Sequence, residues 1–186
     1  MTVAADVRRR ILGGASASSR RRLRETVMQT THLLVIGYGN TLRSDDGVGP
    51  RIAEAVGAWR WPGVSTLICQ QLSPEHADPI SRADAVVFVD ATVDAPNEVQ
   101  LRPLEPNDSS QLMAHAADPR TMLALARDVF GHTTPAWWLT IPAANLEFGE
   151  TLSPVAQSGM ATALERIRSL CHSLQLNLAP PASRGD

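Results

Sequence analysis

The stretch HLLVIGYGNTLRSDDGVGPRIAEAV, His32 to Val56, decides the fold. It opens on the apolar run Leu33–Gly37, which reads as a buried strand. A glycine turn follows, Gly37-Tyr38-Gly39-Asn40, and then a helix from about Val48 to Trp59 that stops near Trp61-Pro62-Gly63. Strand, turn and helix are the first half of a βα unit. A nucleotide-binding protein needs bare backbone N–H groups at that helix start to hold phosphate oxygens. This chain sets two carboxylates there, Asp45 and Asp46, and has Leu42 where a dinucleotide fingerprint has its third glycine. Paired carboxylates repel a pyrophosphate and attract a cation. Gly37 and Gly39 are read as shaping the turn, and Gly47 and Gly49 as letting the backbone pass close to whatever the aspartates hold.

Outward from this unit the pattern repeats. Val64–Gln71 reads as a second strand, and Pro74–Arg82 as a short helix with Ser73 as its N-cap. Ala85–Asp90, AVVFVD, is a third strand, apolar throughout until its last residue. Val99–Arg102 is a short edge strand, and a polar loop runs from about Pro103 to Ala117. Asp118-Pro119 starts a helix, with Asp as N-cap and Pro at the first helical position, and Gly131 ends it. Met122, Leu125, Ala126, Val129 and Phe130 form its expected buried stripe. Trp137–Ile141 is a further strand. Ser153-Pro154 starts the last helix, whose expected stripe is Met160, Leu164, Ile167, Cys171 and Leu174. This alternation predicts an α/β fold: an open, mostly parallel sheet sandwiched by helices in three α/β/α layers. In such sheets ligands bind beyond the carboxyl ends of the strands, at a switch in strand order. Asp45, Asp46 and Asp90 fall at such ends.

Composition narrows the function. The chain has 186 residues, 44% of them hydrophobic, and no run long enough to span a membrane. All 17 basic residues are Arg, and the formal charge is −2. That charge is unevenly spread: residues 1–27 hold seven Arg against Asp6 and Glu25, whereas residues 28–186 hold ten Arg against 17 acids. An acidic body argues against binding a phosphate backbone. The basic, Ser-rich start lacks the apolar segment of a secretory signal. Residues 1–31 are expected to be a disordered basic extension, 32–174 a single α/β domain, and 175–186 a disordered tail. Met28 is a candidate translation start, in which case residues 1–27 are dispensable. Two cysteines, Cys69 and Cys171, make no disulfide framework and read as buried structural thiols in a reducing, cytoplasmic compartment.

The residues that could carry chemistry are few. There is no G-x-S-x-G elbow and no H-E-x-x-H zinc helix. Spacing alone leaves Asp45 and Asp46 open between a helix cap and a cap plus a cation ligand. Asp90 reads either as an Asx turn with Thr92 or as a functional carboxylate at a strand end. His115, in the loop before Asp118, reads as a solvated surface histidine on its own, and His76, beside Glu75, is a second-tier candidate. Carboxylates with one imidazole form an oxygen and nitrogen ligand set suited to a divalent cation, without separating nickel from zinc or manganese.

Four motifs in order, VIGYGNTLRSDDGVG, FVDA, HAADPRTMLALARDVFG and LEFGETLSP, resemble the hydrogenase maturation endopeptidases, which trim the C-terminus of [NiFe]-hydrogenase large subunits. The resemblance covers roughly Leu33 to Leu170, and its fold is phosphorylase/hydrolase-like. It implies that Asp46, Asp90 and His115 are the metal ligands and, through the metal, the catalytic residues of an aspartyl-type, metal-dependent endopeptidase. It further implies nickel carried by the substrate precursor as the ion recognised, the large-subunit precursor as partner, and a monomer that binds neither nucleic acid nor membrane. Asp45 remains as a cap or a carrier of protons. Gln70-Gln71-Leu72-Ser73-Pro74-Glu75 departs from the family's Asp-Gly-Gly-Thr-like segment, so substrate choice is expected to differ. Loop Pro103–Ala117 and segment Pro142–Leu152 are candidates to grip the precursor's extension. Two rivals are a non-cleaving, nickel-checking binding protein and a nucleotide- or RNA-related α/β protein, since the G-x-G-N start is also similar to that of peptidyl-tRNA hydrolases.

Overall fold

A computed structural model describes residues 31–93, 98–108 and 117–176. Of the expected terminal extensions, residues 1–30 and 177–186 lie outside the described residues, as does His115, whereas Leu176, expected in the tail, is buried in the core. Among the described residues five strands and four helices follow one another. β1 is Leu33–Tyr38, α1 is Val48–Gly57, β2 is Val64–Cys69 and α2 is Ala77–Ser81. β3 is Ala85–Thr92, β4 is Gln100–Leu104, α3 is Pro119–Phe130, β5 is Ala136–Pro142 and α4 is Pro154–Ser173. Single 3-10 turns, Ser44–Gly47 and Pro74–His76, lead into α1 and α2. Among the described residues no helix is long and apolar enough to cross a membrane.

The strands form one sheet in the order β2-β1-β3-β5-β4. β1 runs parallel to β2 and β3, and β3 parallel to β5, while β4 lies antiparallel at the edge. The expected three-layer α/β sandwich is thus the observed one. After β1 the chain goes to one side, as β2, and then to the other, as β3. The strand order reverses there, so a crevice opens between the carboxyl ends of β1 and β3.

Alternation along the strands builds two cores. Leu33, Val35, Val87, Val89, Leu139 and Ile141 pack under α1 and α4, against Ile52, Val56, Ala163 and Ile167. Leu34, Ile36, Tyr38, Val86, Phe88 and Trp138 face the other way, against Ile80, Met122, Leu123 and Ala126 of α2 and α3. The middle strands are apolar on both faces because both faces are covered.

Element starts follow the caps. The Asp118 carboxylate accepts from the Arg120 N–H at 2.8 Å, and the Ser153 hydroxyl from the Ala156 N–H at 3.3 Å. Gly131 closes α3 at φ +71°. The stripes differ from expectation. In α3, Val129 and Phe130 are exposed, and Leu123 is buried instead. The same helix carries a second stripe through Met122, Leu123 and Ala126, and packing against α2 and the sheet selects it. In α4, the innermost positions are the small residues Ala156, Gly159 and Ala163, with Met160 and Leu164 at the margin. Small residues let the helix sit low on the sheet: a Cβ on Gly159 would stand 2.7 Å from the Ile141 side chain. β2 ends at Cys69, and β3 runs past Asp90 to Thr92.

Candidate functional site

Two glycines set the depth of the crevice. A Cβ on Gly37 would lie 2.1 Å from the Gly49 carbonyl oxygen, and one on Gly49 would lie 2.5 Å from that of Val89. The start of α1 therefore presses directly on the ends of β1 and β3. This close helix-on-sheet approach is the task that the missing third glycine performs in dinucleotide folds, so Gly49 is a packing residue. Gly39 sits at φ +136°, where a Cβ would fall 2.0 Å from the Asp46 carbonyl oxygen. Only glycine lets the turn fold over Asp46.

The adjacent aspartates diverge. Neither caps α1, whose N-cap is Gly47 without a side-chain bond. Asp45 is fully buried. Its Oδ2 accepts from the backbone N–H groups of Ala144 (2.8 Å) and Asn145 (2.9 Å) and from the Ser153 hydroxyl (2.7 Å). Its Oδ1 accepts from the Ser153 N–H at 2.7 Å. Burial alone would raise its pKa, but these donors together hold it below the usual carboxylate range. Asp45 is thus a buried brace between the turn and the segment leading to α4. It is not the helix cap that the sequence offered.

Asp46 is half-buried, and its Oδ2 accepts from the Asn40 N–H at 2.8 Å. Asp90 lies on the neighbouring strand end, level with Thr140 of β5. Burial pushes the Asp90 carboxyl up to about 6; the Tyr38 hydroxyl and the Ala91 N–H pull the other way, and the nearby negative charge of Asp46 adds to the rise. Among the described residues no cation pairs with Asp46 or Asp90. Two uncompensated carboxylates thus converge on the switch-point crevice, the arrangement that a positive ion relieves.

An open cavity of about 320 Å³ borders Asp90, lined also by Tyr38, Ala117, Asp118, Pro119 and Trp138. A second, of about 360 Å³, opens on the other side of the turn between Asn40–Leu42 and Ile68–Gln70. Further hollows along α4 hold neither aspartate and lie away from this chemistry. The Tyr38 hydroxyl and the Trp138 indole nitrogen are buried, and neither has a formed hydrogen bond. Tyr38 lies close enough to Asp90 to bear on its pKa yet falls short of bonding geometry. The sequence reading set Tyr38 in the glycine turn and Trp138 in a strand and gave neither a role. Their signal was positional: Tyr38, Asp90 and Trp138 share one sheet face at the carboxyl end.

The remaining candidates fall into place. His76 accepts from the Ser73 N–H through Nδ1 at 2.9 Å, a local turn bond. Cys171 is fully buried, with its thiol pushed up to about 11 by burial; Cys69 is half-buried and also raised, first by burial and then by Glu75. Cys171 is the buried thiol expected, whereas Cys69, also expected buried, is partly open at the edge of the second cavity. The segment after β5 is zipped to the turn: the Ser44 N–H donates to the Gly149 carbonyl at 2.7 Å, and the Gly149 N–H to that of Leu42 at 2.9 Å. Phe148 (86% exposed) and Leu42 (56%) project from this zipped pair. Among the described residues no three His, Cys, Asp or Glu side chains gather closely enough to hold a metal. The two carboxylates do suit a hard or borderline cation as part of a larger donor set.

The chain matches no protein-family model and no curated protein. Its fold matches solved structures. The hydrogenase maturating endopeptidase HybD from E. coli superposes with a TM-score of 0.63 at 22% identity, covering 83% of this chain and 99% of that one. The [NiFe] hydrogenase maturation protease HycI from Thermococcus kodakarensis KOD1 gives 0.61 at 20%, covering 81% and 99%. HybD from Thermococcus kodakarensis gives 0.58 at 21%, covering 75% and 98%. The shared architecture spans nearly the whole of each of these proteins.

Proposed function

We propose that this chain is a metal-dependent, aspartyl-type endopeptidase of the hydrogenase maturation family. Its substrate would be the nickel-loaded large-subunit precursor of a [NiFe] hydrogenase, from which it removes the C-terminal extension. One observation carries this reading: Asp46 and Asp90 converge on the switch-point crevice with no cation of the protein's own beside them. The fold shared with hydrogenase maturation proteases supports the same assignment.

In this account nickel arrives with the substrate, and Asp46, Asp90 and His115 add their donors to it. When bound, the ion supplies Lewis-acid chemistry to a peptide carbonyl held nearby. The chain's own residues do the positioning. The Asn40 N–H fixes Asp46, the Asp45 brace fixes the turn that carries it, and the sheet fixes Asp90. The Ser44 and Ser153 hydroxyls are occupied, by the Glu147 carbonyl and by Asp45 respectively. Neither is a free nucleophile. Carboxylates and imidazole must be deprotonated to bind, so activity falls in acid. The enzyme works as a cytoplasmic monomer.

The test is to incubate the chain with its large-subunit precursor, loaded with nickel or metal-free, and to measure product mass. Shortening of the loaded precursor alone is expected. A stable complex with no shortened product would mark a non-cleaving nickel-checking protein instead.

A further inference from the structure

Tyr38 is an unexpected residue for its place. It is 8% exposed, and its hydroxyl is buried without a formed hydrogen bond. A phenylalanine would fill the same core position at no polar cost. The Trp138 indole nitrogen is buried and unpartnered in the same way. The two meet at one place. Ile36, Phe88 and Trp138 lie in register across β1, β3 and β5. Two residues further along each strand, on the same sheet face, come Tyr38, Asp90 and Thr140. Tyr38, Trp138 and Asp90 then line one cavity.

We propose that Trp138 and Tyr38 form a donor relay that orients the Asp90 carboxylate for cation binding. Trp138 donates to the Tyr38 oxygen, and Tyr38 donates to the Asp90 oxygen that the cation leaves unused. The relay rests on Asp90 being a ligand, as the reading above holds. Tyr38 and Trp138 are positioning residues in it, since neither touches the ion. Carboxylates that bind metals are commonly held by such outer donors, which fix the rotamer and lower the reorganisation needed on binding. A relay that closes only when the ion commits Asp90 accounts for two buried donors that stand beside an acceptor without bonding.

The experiment is calorimetric titration of Ni²⁺ into the full metal-free chain near neutral pH, with thermal unfolding of the same samples. Wild type, Tyr38→Phe, Trp138→Phe and Asp90→Asn are compared. Wild type binds, Asp90→Asn loses binding, and Tyr38→Phe weakens it about tenfold or more. Trp138→Phe weakens it by a smaller factor. The metal-free unfolding midpoint of Tyr38→Phe is unchanged or higher, which a merely structural hydroxyl would not allow. Wild-type affinity in Tyr38→Phe, with binding lost in Asp90→Asn, overturns the relay and leaves the cation site standing. If wild type fails to bind Ni²⁺, or Asp90→Asn binds it equally well, the relay falls, while the reading in which nickel arrives with the precursor is decided separately by the cleavage assay.

Discussion

Asp45 and Ser153, 108 positions apart, are joined twice at 2.7 Å: the Ser153 N–H donates to one carboxylate oxygen and its hydroxyl to the other. The pair ties the turn carrying Asp46 to the start of α4. With Ala144 and Asn145 it satisfies a fully buried charge entirely with donors rather than with a counter-ion.

Loss of that brace should be severe. Asp45→Ala removes the buried acceptor of three part-buried N–H groups and of the Ser153 hydroxyl and is expected to cost about 2–4 kcal/mol, against about 1–2 for Ser153→Ala, which removes one hydroxyl and a cap. Chemical denaturation of both variants measures this. The sign with pH follows from the depressed Asp45 pKa. Its stabilisation is complete above the unfolded value of about 3.9 and is lost as pH falls toward the lower folded value. Acid unfolding of wild type should therefore show a component below about pH 4 that is absent in Asp45→Ala.

Asp90 behaves in the opposite sense. Its folded pKa of about 6 means that the native chain holds a proton which the unfolded chain has already released. Stability therefore falls as pH rises from about 4 to 6 and stays reduced above. Asp90→Asn carries no charge and should stabilise the metal-free protein at neutral pH by about 1–2 kcal/mol, while slowing cleavage at least about a hundredfold. Thermal midpoints across pH 4–8 test it: the variant's advantage should grow up to about pH 6 and then level off.

The crevice glycines make a contrasting pair with Gly131. Gly49→Ala would drive a methyl into the Val89 and Tyr38 carbonyl oxygens, 2.5 and 2.6 Å away. It is expected to cost about 3 kcal/mol or more. Gly131→Ala meets nothing within 4 Å and only carries φ +71°, so it should cost about 1 kcal/mol. Comparing the unfolding free energies of the two variants separates close packing from backbone strain.

Much of this was legible in the sequence because local signals and the global fold agree. The AVVFVD run, the Asp118-Pro119 and Ser153-Pro154 starts and the Gly131 stop each report backbone chemistry confined to a few residues. The strand-end positions of Asp46 and Asp90 followed from topology alone. The Asp45 brace was not legible, because its partners lie about a hundred positions away and only packing brings them close. The burial of Leu123 in place of Val129 was hidden for a related reason: two stripes of equal spacing share α3, and α2 decides between them. Tyr38 and Trp138 drew no functional reading because nothing in a linear sequence shows whether a buried hydroxyl or indole N–H finds a partner.

The most direct measurement is the mass of a nickel-loaded large-subunit precursor after incubation with wild type, Asp46→Asn and Asp90→Asn. The account predicts loss of the C-terminal extension with wild type and cleavage slowed at least about a hundredfold by either substitution, since each removes one charged donor from the ion. Cleavage at the wild-type rate by both variants would contradict it.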